Sequence, residues 1–135
     1  MDCPTDIVFV MDESESIGSM NFDMMKLFLS QLVSRLDIDS GNTRVGLITY
    51  SSSIGDGFNL SDYSTVASVQ SAILALTYSG GGTNTAGALE YVRTKMLTSA
   101  AGDRSNIPNV VVVLTDGQSD NANFTQVCKM VCMRF

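Results

Sequence analysis

Residues 6–18 read DIVFVMDESESIG, and the fold turns on how this run is divided. Its apolar part, Ile7 to Met11, is short and β-branched, and polar turn formers end it at once, which is the pattern of a buried strand. The remainder, Asp12, Glu13, Ser14, Glu15 and Ser16, is not needed to make a strand. An acid and two hydroxyls at alternate positions just past a strand end have three chemical uses. They cap the helix that follows, they catalyse a reaction, or they hold an ion.

Working outward, strand-like runs alternate with helical periods. Residues 21–36 carry Met24, Leu27, Phe28, Leu32 and Leu36 at helical spacing, with Asn21 as a candidate cap. TRVGLITYSS, residues 43–52, reads as a second strand, and IGDGFNL, residues 54–60, as a weaker third strand or sheet edge. STVASVQSAILAL follows with Val66, Val69, Ile73, Leu74 and Leu76 on one helical stripe. The glycine-rich SGGGTNT then leads into a helix over 86–97, with Leu89, Val92, Met96 and Leu97 facing inward. NVVVVLTDG, residues 109–117, is apolar on both faces, as a central parallel strand should be. NANFTQVCKMVCM begins a last predicted helix. The expected fold is α/β, a doubly wound, mostly parallel sheet flanked by helices, in a single domain over residues 1–135.

Composition narrows the function. The chain has 135 residues, 14 acidic against 8 basic, for a formal net charge of −6. A negative chain without basic clusters does not suit nucleic acid or anionic membranes, which need Lys and Arg against phosphate. No apolar run is long enough to span a bilayer. The opening MDCPTD lacks the basic and apolar segments of a secretory signal. There is no His, which removes Ser-His and Cys-His catalysis. Cys3, Cys128 and Cys132 are too few for a structural zinc site and cannot all pair within one chain.

In doubly wound sheets, ligands bind beyond the carboxyl ends of the strands, near the switch in winding direction. Three polar segments fall there: Asp12, Ser14 and Ser16 after the first strand, Thr83 in the glycine loop, and Asp116 after VVVVLT. Carboxylate, hydroxyl and water oxygens are ligands for hard cations, so Mg²⁺ or Mn²⁺ is the expected guest. Gly80 to Gly82 let the backbone bring Thr83 close, and Gly117 permits a turn after Asp116.

These segments, DESES, GGTNT and TDGQS, resemble the metal-ion-dependent adhesion site of von Willebrand factor type A domains. That pattern is D-x-S-x-S, then T, then D, and Asp12, Ser14, Ser16, Thr83 and Asp116 match it in order. The framing runs DIVFVMDESESIG and RVGLITYSS resemble the extracellular branch found in matrilins and collagens. The resemblance implies a metal-dependent protein-binding module, secreted, whose cation completes its shell with an acidic residue of a matrix ligand such as a collagen. Such domains usually continue with further strands and helices, so a domain incomplete at its C-terminal end is expected. In that case VVVVLT would stand at an exposed sheet edge and invite self-association. The family often pairs a Cys before the first strand with one after the last helix, which leaves Cys3 with no obvious partner.

Blander readings stand beside this one. DESES alone could be a capping loop; in either reading the intervening acids Glu13 and Glu15 are expected to turn to solvent. A matrix module with an unused metal site fits the same residues. An Mg²⁺-dependent aspartyl phosphotransferase would also end a strand in Asp, but Ser14 stands where its second acid is expected and no lysine follows a later strand end. The SGGGTNT loop lacks the lysine of a phosphate loop. Met20, Met24 and Met25 read as core filling. Asn59 and Asn123 sit in glycosylation triplets.

Overall fold

The computed structural model describes residues 3–116 and, for their backbone, 131–134. Five strands form one sheet: β1 (Thr5–Asp12), β2 (Thr43–Tyr50), β3 (Ile54–Phe58), β4 (Asn109–Leu114) and β5 (Val131–Arg134), in the order β3-β2-β1-β4-β5. β1 lies at the centre and runs parallel to β2 on one side and β4 on the other. The winding direction therefore switches beside β1, which places a ligand crevice over the carboxyl ends of β1 and β4.

The sheet is mixed, parallel at its centre and antiparallel at both edges. β3 follows β2 after three residues, a link too short for a parallel crossover. β5 pairs antiparallel with β4 from Val110↔Arg134 to Val113↔Val131. Two expectations are corrected by this pairing. Residues 131–134 are strand rather than helix, and β4 is not an exposed edge, so self-association through it loses its premise. The remainder of that expected helix, 121–130 with Cys128 and Asn123, lies outside the described residues, as does Gly117.

Alternation along the central strands builds two cores. Phe9, Met11, Val45, Leu47, Val112 and Leu114 face α1 (Gly18–Val33) and α2 (Val66–Leu74), meeting Phe22, Leu29, Val33, Val69 and Ile73. Val8, Val10, Ile48, Tyr50, Val111 and Val113 face the other layer, α3 (Thr85–Tyr91) and the π-turn Val92–Met96. Strands buried on both faces explain the unbroken apolar runs of β1 and β4.

α1 departs from expectation in register and in face. It starts at Gly18, and Asn21 donates from its side chain to the Ile17 carbonyl instead of capping. Its core face is Phe22, Leu29 and Val33, with Met25, Leu32 and Leu36 packed beside them. Met20, Met24, Leu27 and Phe28 lie on the outside, 80%, 65%, 57% and 50% exposed. The expected stripe through Met24, Leu27 and Phe28 is therefore the solvent face, and of the three methionines only Met25 fills core. On α2, Leu74 is likewise exposed while Val69 and Ile73 are buried. α2 is closed at its start by a Thr65–Ser68 capping box.

At the amino end of the sheet, Asp6 is wholly buried. Arg104 reaches it with Nη2 and Nε at 2.6 and 2.9 Å and with its backbone N–H at 2.9 Å. The same guanidinium also donates to the Gly41 and Asn42 carbonyls. Cys3 is an exposed free thiol. Among the described residues no helix is long and apolar enough to cross a membrane.

Candidate metal centre

β1 delivers Asp12 to the carboxyl end of the sheet, where it is register partner of Tyr50 and wholly buried. The backbone N–H of Ser14 donates to Asp12 Oδ1 at 2.8 Å. The hydroxyl of Thr115, just beyond the end of β4, donates to Oδ2 at 2.7 Å. Asp12 thus lies between two neutral donors. Burial holds its carboxyl above the usual range, the Ser14 and Thr115 bonds oppose that rise, and the charge of nearby Asp116 adds to it.

The next two matched positions turn the same way. Ser14 Oγ and Ser16 Oγ stand 3.0 Å apart, Ser14 buried and Ser16 exposed. Their turn is closed by Ile17 N–H to Ser14 O at 3.1 Å, and Tyr78 donates its hydroxyl to that carbonyl at 3.2 Å. The glycine loop is tied directly to this turn, because Glu15 N–H donates to Gly81 O at 2.9 Å. Gly81 has φ +108°, a conformation few side chains tolerate, and a Cβ there would press on Ser51.

Either side of Thr83 the loop is fastened: Gly82 N–H to Ser52 Oγ at 2.8 Å and Asn84 N–H to Ser51 O at 2.7 Å. Asn84 also caps α3 through Gly87 N–H. Thr83 is 5% exposed and two residues from the Gly81–Glu15 bond, a span of about 7 Å at most. Asp12, Ser14, Ser16 and Asp116 therefore meet at one end of the sheet, and the loop carrying Thr83 is bonded to the same turn.

Three features were not legible in the sequence. Thr115 bonds Asp12 directly. Tyr50, buried at the end of β2, shares a hydrogen bond with Thr85 at 3.1 Å. Glu13 does not point into solvent: it is 2% exposed and packs against Gly55 beside Thr49. Burial raises its carboxyl above the usual value, whereas Glu15 is exposed as expected. The positional clues for the first two were that Thr115 directly precedes Asp116 and that TRVGLITY ends in a tyrosine.

The donor chemistry fits a hard divalent cation. Among the described residues no group of three His, Cys, Asp or Glu side chains converges anywhere. A cation here would depend on hydroxyls and water as well as carboxylates, which suits Mg²⁺ or Mn²⁺.

Fold and site together define a class, and comparison with known proteins gives it a name. Residues 6–132 match the von Willebrand factor type A domain, and the chain belongs to that family. It is 44% identical over 120 residues to the mouse collagen alpha-4(VI) chain, covering 87% of this chain and 5% of that one. It is 37% identical over 117 residues to human matrilin-1, covering 87% and 24% respectively. The chain thus spans a quarter or less of these relatives. Among solved structures, proximal thread matrix protein 1 of the mussel byssus superposes with a TM-score of 0.82 at 26% identity, over 90% of this chain and 32% of that one. Another structure of the same mussel protein has a zinc-occupied MIDAS motif, with TM-score 0.81, 26% identity and the same 90% of this chain covered.

Proposed function

We propose that this domain is an extracellular, non-enzymatic protein-binding module whose adhesion depends on a divalent cation held by Asp12, Ser14, Ser16, Thr83 and Asp116. One observation carries the reading. Asp12 is a wholly buried carboxylate met only by neutral donors, with a second carboxylate near enough to raise its pKa. Burying such a group is unfavourable without a positive partner, and among the described residues no ion pair supplies one.

The relatives support the setting. Matrilins and collagen VI are matrix proteins, and the mussel matrix protein carries a metal in the corresponding motif. The all-oxygen donor set favours Mg²⁺ or Mn²⁺ over zinc, which prefers nitrogen and sulfur. When bound, the cation supplies an electrophilic centre for a carboxylate from the partner. The chain's own part is to hold two acids and three hydroxyls at one point, and neutral hydroxyls leave more of the positive charge for that carboxylate. The partner is a matrix protein, a collagen among the candidates, presenting an Asp or Glu. Ser14 in place of a second acid speaks against a phosphotransferase.

The test is solid-phase binding to a panel of collagens and other matrix proteins, in Mg²⁺ or Mn²⁺ and in chelator. Cation-dependent capture is expected, lost in Asp116→Ala and Thr83→Ala with the fold intact. Undiminished Mg²⁺-dependent capture by Asp116→Ala would defeat the assignment.

A further inference from the structure

The peptide bond between Ser14 and Glu15 lies between two of the proposed hydroxyl ligands, and residues 78–81 hold it at both poles. Tyr78 donates its hydroxyl to the Ser14 carbonyl at 3.2 Å, and the Glu15 N–H donates to the Gly81 carbonyl at 2.9 Å. In a trans peptide the carbonyl and the N–H point in opposite directions, so these two bonds grip one rigid plane from two sides. Backbone freedom at the glycines makes the grip possible. Gly80 and Gly81 have φ of +73° and +108°, and the chain turns so tightly that a Cβ on Gly80 would stand 3.5 Å from the Tyr78 hydroxyl.

The grip acts on the segment that carries Ser14 and Ser16. Ser14 is tied on its amino side, where its N–H bonds Asp12 Oδ1 at 2.8 Å, and on its carboxyl side by Tyr78. The Ile17 N–H also bonds the Ser14 carbonyl, at 3.1 Å. That local bond shapes the turn, whereas the bonds from Tyr78 and to Gly81 set where the turn stands relative to the loop. The Tyr78 ring is partly buried and rests on Phe22 of α1, with centroids 5.7 Å apart and planes tilted by 49°, so packing delivers its hydroxyl.

We infer that Tyr78 is a positioning residue for the cation site: by holding the Ser14 carbonyl, it keeps the Ser14–Ser16 turn fixed against the loop that carries Thr83. This rests on the metal-site reading above and adds a residue beyond the five matched positions. A cation that draws donors from both segments binds more tightly when their relative placement is already set, because freedom left between them is lost on binding. Removing groups that stand behind metal ligands commonly costs about 10–100-fold in metal affinity.

The experiment is Mn²⁺ titration calorimetry on the full chain, with metal-free thermal melts, for wild type, Tyr78→Phe and Val33→Ala. Tyr78→Phe keeps the ring and its contact with Phe22 and loses the bond to Ser14. It is expected to weaken Mn²⁺ binding about tenfold with little change in melting temperature. Val33→Ala removes wholly buried methyl groups at the far end of α1, and should lower the melting temperature while Mn²⁺ affinity stays at the wild-type value. Wild-type Mn²⁺ affinity in Tyr78→Phe would overturn the inference, whatever its melting temperature. A loss matched by Val33→Ala would overturn it too, because lower stability alone would then account for the effect. Wild-type protein that binds no Mn²⁺ would overturn the metal-site reading itself, a result distinct from these.

Discussion

Asp6 and Asp12 stand on the same strand, both wholly buried, and their surroundings differ in one respect. Asp6, at the amino end of β1, is gripped by Arg104 through side chain and backbone. Asp12, at the carboxyl end, meets an amide and a hydroxyl. The first carboxylate has its counter-charge built into the chain, whereas the second, in the function proposed above, takes its counter-charge from a bound cation. On that proposal one strand carries a closed ion pair at one end and, at the other, an anion steadied by neutral donors that would serve binding.

The largest effect that would sharpen this contrast is at the amino end. Asp6→Ala leaves Arg104 without its buried partner and should cost about 3 kcal/mol in urea unfolding, with Mn²⁺ affinity little changed. Asp12→Asn should do the reverse, abolishing Mn²⁺ binding in calorimetry while the metal-free protein stays as stable as wild type or gains. If Asp12→Asn unfolds the protein, the two aspartates are doing the same job and the contrast fails.

A smaller effect concerns Glu13. Its folded pKa is raised, so the group favours folding most at pH values below its ordinary 4.5 and loses that contribution as pH rises through the folded value. Glu13→Gln should therefore raise the metal-free melting temperature at pH 7 and make little difference in acid. An equal shift at both pH values would mean that the charge is not the cause. The smallest effect is expected on the outer face of α1. Phe28→Gln should change stability by no more than about 0.5 kcal/mol and leave Mn²⁺ binding alone. Leu29→Ala, one position on, should cost about 3 kcal/mol.

That last pair also shows where sequence reading stops. β1, β2 and β4 are legible because strands buried on both faces are apolar throughout and need no choice of side. On α1, apolar residues occupy two faces: Met20, Met24, Leu27 and Phe28 on one, Phe22, Met25, Leu29, Leu32 and Val33 on the other. Periodicity identifies a helix in either case, and only the packing of β1 and α2 against it decides which stripe is core. The five proposed site positions could be named from the sequence because each follows an identifiable element, and the structure gathers Asp12, Ser14, Ser16 and Asp116 at one end of the sheet with the Thr83 loop bonded to the same turn. The Thr115 bond to Asp12 was not legible, since it depends on the register of β1 against β4 rather than on neighbours in the chain. Glu13 was misplaced for a related reason: its pocket is made by Gly55 and Thr49, both distant in sequence. β5 offered only four residues, too few for alternation to show.

The central position of β1 has a mechanical outcome. A partner tugging on an ion at Asp12 would draw this strand along its own axis, against eight paired positions with β2 and six with β4. Parallel neighbours on both sides take such tension in shear, so the ladders must slip together instead of peeling rung by rung, and the grip at one tip is spread over the whole sheet.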